Sequence, residues 1–298
     1  MNLTTYFKDF ENFLKLERNL SENTIKSYSS DLIKFKVFLL KSNIKELNFI
    51  NPEIIREFLY EESKKVSGKT QGRIISTLKS FYNFLVLEKI LENNPIEDIN
   101  YPKTDSKVPF VLSTNEIDKI ITQASLTKFG IRNQTIIEVM YSCGLRVSEV
   151  IEMKISNIFF DESLIKVLGK GKKERFVPLS SIAKKLLYNY IDCERDESKI
   201  NKQSVDIVFL NNRGSKLSRI MLYNIINDAA LAAKINYKIS PHTLRHSFAT
   251  HLIENGADII SIQKMMGHEN IITTEKYLNV NKKHLVETMI KYHPRKSI

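Results

Sequence analysis

Apolar residues recur three and four positions apart through the first third of the chain. Ile25, Tyr28, Leu32, Phe35 and Leu39 form one such stripe. Residues at that spacing share one face of a helix, so the stripe predicts an amphipathic helix, with Ser21 placed to cap its first turn. Ile74, Leu78, Phe81 and Leu85 form a second stripe. That helix is expected to stop near Asn93-Asn94-Pro95, because the residue before a proline is pushed out of the helical region. The stretch from Tyr101 to Pro109 is polar and bounded by prolines. It reads as an extended linker and divides the chain into an all-helical part, residues 1–104, and a second part, residues 105–298.

The second part opens on Ser113-Thr114-Asn115-Glu116, the reciprocal pairing of a capping box, so a helix should follow. Helical periodicity continues through Ile136, Ile137 and Met140. Leu164–Leu168 and Arg175–Leu179 then alternate as strands on either side of Gly169-Lys170-Gly171, which predicts a small β-hairpin among helices. From Ser218 the pattern is helical again, with Gly256 and Gly267 as breakers. A last stripe, Leu285, Val286, Met289 and Ile290, suits packing on its own domain or docking on a neighbouring subunit equally well. The expected fold is mainly α with a small antiparallel β-sheet.

Composition narrows the setting. No apolar run among the 298 residues approaches a membrane span, so no membrane role is expected. The first residues lack the basic and apolar segments of an export signal, which leads to the expectation of a cytoplasmic protein. Cys143 and Cys193 are the two cysteines, with no C-x-x-C pairing, which suits a reducing compartment and argues against a disulfide or zinc framework. Net charge changes the picture more. The chain carries +11, and residues 1–105 hold 16 of the 45 Lys/Arg and 15 of the 34 Asp/Glu, leaving an excess of +10 to the remainder. Such an imbalance fits either a polyanionic partner or a lysine-rich surface tuned for solubility.

Four segments carry candidate chemistry. In Ser240-Pro241-His242-Thr243-Leu244-Arg245-His246, a capped helix start brings His242 and Arg245 onto one face beside free backbone amides, an arrangement suited to phosphate. His242 and His246 are four apart, yet no acidic residue stands between them and Arg245 would repel a cation, so no metal is expected. Gly144-Leu145-Arg146 leads into a helix expected to carry Arg146 in its first turn, with Glu149 three residues on. An arginine there opposes the helix dipole and needs a partner, either Glu149 alone or a phosphate with Glu149 behind it. Gly169-Lys170-Gly171 lacks the spacing of a nucleotide-binding loop and leads into a strand, so no ATP or other cofactor is indicated. Finally, Gly267 should end a helix just before His268, and Tyr277 should follow on a short second helix. Each segment taken alone is also compatible with ordinary capping and surface packing.

Taken in order, Gly-Leu-Arg146, Gly-Lys170-Gly, His242-x-x-Arg245-His246, Met-Gly-His268 and Tyr277 resemble the tyrosine recombinase (phage integrase) family, and within it the bacterial Xer recombinases. One departure is Met266, where the family often has leucine, an apolar exchange of similar volume. The resemblance spans nearly the whole chain and implies an N-terminal helical core-binding (SAM-like) domain and a C-terminal catalytic domain. It implies Tyr277 as the nucleophile, Arg146 and Arg245 as the arginine pair, Lys170 as the proton donor to the leaving oxygen, His242 as base or acceptor, and His268 on the phosphate. Implied partners are double-stranded DNA with an inverted-repeat site and a homo- or hetero-tetramer with a related recombinase. Whether a septal DNA translocase joins them is left open. The expected activity is site-specific recombination through a 3′-phosphotyrosyl intermediate, of the type that resolves chromosome or plasmid dimers. The alternatives are an integrase or invertase of a mobile element, a type IB topoisomerase-like enzyme, or a DNA-binding protein without cleavage.

Overall fold

The structure is a computed structural model and describes residues 3–18, 20–44, 46–102, 110–169, 173–195, 200–267 and 282–295. The chain divides into two compact units, Met1–Lys107 and Val108–Ile298.

The first unit contains α1 (Leu3–Leu16), α2 (Glu22–Lys41), α3 (Pro52–Ser63) and α4 (Gly68–Leu87). Leu32, Phe35 and Leu39 of the first predicted stripe are buried, and the Thr24 amide donates to the Ser21 hydroxyl at 3.3 Å, so the cap forms as expected. The core is aromatic-rich: Phe10 meets Phe81 edge-on with centroids 5.4 Å apart, and Phe35 meets Phe58 at 5.0 Å. Helix α4 ends at Leu87, earlier than the proline predicts. Lys89 takes a left-handed φ of 56°, and the Ile90 amide turns back to the Leu85 carbonyl at 2.9 Å. This local stop closes the helix before Pro95 acts.

The second unit is helical around a small sheet. Its elements are α5 (Thr114–Ser125), α6 (Gly130–Ser142), α7 (Val147–Ile151), β1 (Ile158–Phe159), β2 (Leu164–Leu168), β3 (Glu174–Pro178), α8 (Ser181–Asn189), α9 (Arg219–Ala232), α10 (Pro241–Glu254), α11 (Ile259–Met266) and α12 (Lys282–Tyr292). The capping box is present, with the Ser113 amide donating to the Glu116 carboxylate at 2.8 Å and the Glu116 amide donating to the Ser113 hydroxyl at 3.3 Å. The predicted hairpin is the larger part of a three-stranded antiparallel sheet, ordered β1-β2-β3, in which Ile165 faces Val177 and Ile158. Helix α6 is the spine of this unit and packs on α5, α8 and α10. Leu285 and Met289 of α12 are buried in the unit's own core, while Ile290 stays exposed. Among the described residues no helix is long and apolar enough to cross a membrane.

Candidate active site

The site is assembled where the α6–α7 turn, β3, the start of α10 and the end of α11 meet. Gly144 makes the turn possible. Its φ is +58°, and a Cβ there would lie 2.4 Å from the Phe248 ring on α10. Only a residue without a side chain permits both the left-handed backbone and that approach. Two residues later Arg146 stands as the N-cap of α7, one position before the first turn that the sequence predicts. Its amide donates to Glu149 Oε2 at 2.8 Å, and its Nη1 donates to Glu149 Oε1 at 2.9 Å. The arginine therefore spans the helix start from outside, which relieves its conflict with the dipole.

Glu149 is the centre of the arrangement, although only 5% exposed. Arg175 Nη1 and Nη2 donate to its two oxygens at 2.7 and 2.8 Å, and Arg245 Nη1 lies 3.8 Å from Oε2. Burial alone would raise the Glu149 carboxyl, but the bonds and charge of Arg175, with those of Arg146, outweigh it and hold the group below its ordinary value. Arg245 is itself buried. Burial and then the charge of Arg146 lower its pKa to about 10, against the pull of Glu149, so it stays protonated at neutral pH. Three guanidiniums against one carboxylate leave a local excess of positive charge.

The same three arginines close the end of α11. Arg175 Nε donates to the Met265 carbonyl at 2.7 Å, Arg245 Nη2 donates to the Met266 carbonyl, and Arg146 Nη2 donates to the Gly267 carbonyl at 2.9 Å. A helix leaves its last carbonyls without partners and carries negative charge at that end, so cations satisfy both demands. Gly267 ends the helix as predicted, with a left-handed φ of 63°. Arg245 Nη1 donates in addition to the Gly144 carbonyl, which ties α10 to the α6–α7 turn.

Beside this cluster an open cleft of about 430 Å³ is lined by Phe110, Ser240, His242, Thr243, Arg245, His246 and Met266. It lies at the N-terminus of α10. There the Thr243 amide donates to the Ser240 hydroxyl at 3.3 Å and Pro241 occupies the first turn, as predicted. His242 is exposed on the same helix as buried Arg245. Four of the sequence-predicted residues, Arg146, Glu149, His242 and Arg245, are thus brought to one region. Lys170, His268 and Tyr277 lie outside the described residues. The role of Arg175 is not foreseen by the sequence reading, in which it is only a strand residue. An arginine inside the otherwise apolar run Arg175-Phe176-Val177-Pro178-Leu179 is the one signal that points to it.

A mainly helical domain that holds an anchored guanidinium, Arg245, and an imidazole, His242, in a cleft at a helix N-terminus, with a second anchored guanidinium, Arg146, on the same carboxylate, is equipped for phosphoryl transfer. The chain belongs to the phage integrase family, that of the tyrosine recombinases, enzymes that cleave and rejoin DNA: the phage integrase family model matches residues 111–284, and the phage integrase N-terminal SAM-like domain model matches residues 7–89. It is similar to tyrosine recombinase XerD of Staphylococcus epidermidis, with 38% identity covering 98% of this chain and 100% of the relative. It is also similar to tyrosine recombinase XerD of Oceanobacillus iheyensis, with 40% identity covering 97% and 98%. Among solved structures, it resembles the XerH site-specific recombinase in a post-cleavage complex with palindromic difH substrate. That match has 25% identity and a TM-score of 0.69, covering 88% of this chain and 78% of the other.

Proposed function

We propose that this chain cuts a DNA strand by attack of the Tyr277 hydroxyl on a scissile phosphate, forming a 3′-phosphotyrosyl bond and freeing a 5′ hydroxyl. It then reseals the strand to a different 5′ end. The observation that carries this reading is the anchoring of Arg146 and Arg245 on the neighbouring carbonyls of Gly267 and Met266, around the single carboxylate of Glu149.

A phosphodiester already bears a negative charge, so attack by another oxygen requires donors aimed at the non-bridging oxygens as the pentavalent phosphorane forms. Donors that are already anchored need no reorganisation at that moment. Each guanidinium has five N–H groups, and the bonds described above use two of each. The rest are donors for an oxyanion, in the planar fork that matches two phosphate oxygens. A phenol with a pKa near ~10 needs its proton accepted or its anion stabilised at neutral pH. His242 takes that part. Lys170 protonates the leaving 5′ oxygen, and His268 hydrogen-bonds the phosphate. The phosphotyrosine conserves the bond energy, so rejoining needs no nucleotide.

In this reading, residues 1–104 and 105–298 form the two arms of a clamp on duplex DNA. The target is an inverted-repeat, dif-like site, and the assembly is a tetramer of this chain alone or with a related recombinase. The setting is the cytoplasm, the outcome is resolution of chromosome or plasmid dimers, and a septal DNA translocase is the remaining partner. The XerD relatives and the XerH complex support this choice over integration or inversion. A nicked duplex that loses a short 5′ fragment on cleavage provides the test. The unmodified protein should become covalently attached to it, and Tyr277→Phe should not. Equal attachment by both would remove Tyr277 as the nucleophile.

A further inference from the structure

Arg175 has no part in the roles assigned above, yet it makes the most complete set of bonds in the cluster. Its two terminal nitrogens hold both Glu149 oxygens at 2.7 and 2.8 Å, and its Nε holds the Met265 carbonyl at 2.7 Å. All three nitrogens are committed to protein acceptors, the side chain is 12% exposed, and the residue does not line the cleft. Every described bond of Arg175 is to the protein itself. The side chain reaches what Arg146 and Arg245 reach: the same carboxylate and the next carbonyl in the same row.

The consequence is a matter of charge and of place. Glu149 is buried, and a buried carboxylate that loses its closest partner draws on whatever cations remain. Here those are Arg146 and Arg245, the two groups that must face the scissile phosphate. The bidentate pair with Arg175 satisfies both oxygens of Glu149 at once. The position is also fixed by β3, which pairs residue by residue with β2. The turn at the end of α11 lies against the same guanidinium, since a Cβ built at Gly267 would come within 3.1 Å of Arg175 Nη1.

We propose that Arg175 is a positioning residue for strand cleavage, one that neutralises Glu149 and ties β3 to the end of α11 so that Arg146 and Arg245 keep their charge and their places for the phosphate. The proposal rests on the cleavage reading given above. Single-turnover covalent attachment to the nicked duplex, at saturating DNA, tests it. Arg175→Met should slow attachment by about 100-fold, the scale of a misplaced reacting group, with the affinity for the same duplex changed by less than about threefold. Adding Glu149→Gln to Arg175→Met should recover about tenfold, because the carboxylate that competes for the remaining arginines is gone. A merely structural role predicts the reverse, a further loss in the double variant. Arg175→Lys keeps the charge without the fork and should fall between wild type and Arg175→Met. It also serves as the test if the methionine variant does not fold. Wild-type rates in Arg175→Met or in Arg175→Lys, or no recovery in the double variant, would overturn the proposal. Absence of any adduct with the unmodified protein would instead sink the cleavage reading itself.

Discussion

Glu138 and His293 are buried groups with opposite demands on pH, and they share Arg295 as a neighbour. Glu138 on α6 is 1% exposed and lies 3.2 Å from Arg295 Nε. Burial pushes its carboxyl up to about 7, with Arg295 opposing the rise and Asp118 adding to it. His293 is fully buried and accepts the Arg295 backbone N–H on Nδ1 at 2.9 Å. Burial, and then the charges of Arg295 and His251, push it down to about 3. Between pH 4.5 and about 7 the folded protein keeps a proton on Glu138 that the unfolded chain releases, so this residue makes stability fall as pH rises. Between about 3 and 6.5 the unfolded chain takes a proton that buried His293 refuses, so this residue makes stability rise with pH. The slopes oppose each other where the windows overlap, from about pH 4.5 to 6.5. Thermal melts across that range should therefore diverge. Glu138→Gln should gain stability with rising pH relative to wild type, and His293→Asn should lose it, all other groups contributing alike to the three proteins. Parallel curves would show that neither residue titrates in this way.

At the scale of elements, the junction of the α6–α7 turn with α10 is the most demanding contact of the site. Gly144→Ala adds a left-handed strain and drives a methyl into the Phe248 ring, which a Cβ would approach to 2.4 Å. Together these should cost about 2 to 5 kcal/mol. Gly256 offers the control. Its φ is +93°, but a Cβ there meets only the Tyr292 ring at an ordinary 3.7 Å, so Gly256→Ala should lose about 1 to 2 kcal/mol from the backbone alone. Denaturant unfolding decides the matter, and equal losses would mean that the close approach carries no energetic weight. Elements of this kind were legible in the sequence to the extent that their signals are local. The stripes of α2 and α4, the Ser113 and Ser240 caps and the strands around Gly169 are legible because each signal spans a few residues. Strand β1 leaves no such signal because Ile158–Phe159 is too short to alternate. Helix α6 shows its period only through Ile136, Ile137 and Met140, because it is buried almost all round, polar Arg132, Asn133, Thr135 and Glu138 included. The site divides along the same line. Arg146 with Glu149 and His242 with Arg245 are three apart on the chain, whereas Arg175 finds its partners 26 and 90 residues away. No local spacing encodes that.

For the whole molecule, the two cores and the charge balance point the same way. Among the described residues one core runs from Leu3 to Ile96 and the other from Leu112 to Met289, with no residue in common. Each buries its own aromatic and aliphatic set, so each has what independent folding requires. Fragments 1–104 and 105–298 should accordingly each unfold in a single cooperative transition. Their affinity for DNA should differ in kind. Of the net charge of +11, +10 falls after residue 105 and +1 within residues 1–105. Neutralising phosphates releases condensed counterions, and log affinity falls with log salt by about 0.9 per phosphate contacted on duplex DNA. The second fragment should therefore hold non-cognate duplex with the steeper salt dependence, and the first should bind weakly with a shallow one. The intact chain should exceed both, since binding by one arm raises the effective concentration of the other through the connecting residues. Fluorescence anisotropy over a salt series with the three proteins measures all of this. A steeper slope for fragment 1–104 would place the main electrostatic footprint on the helical arm, and an intact chain no tighter than fragment 105–298 would remove the clamp.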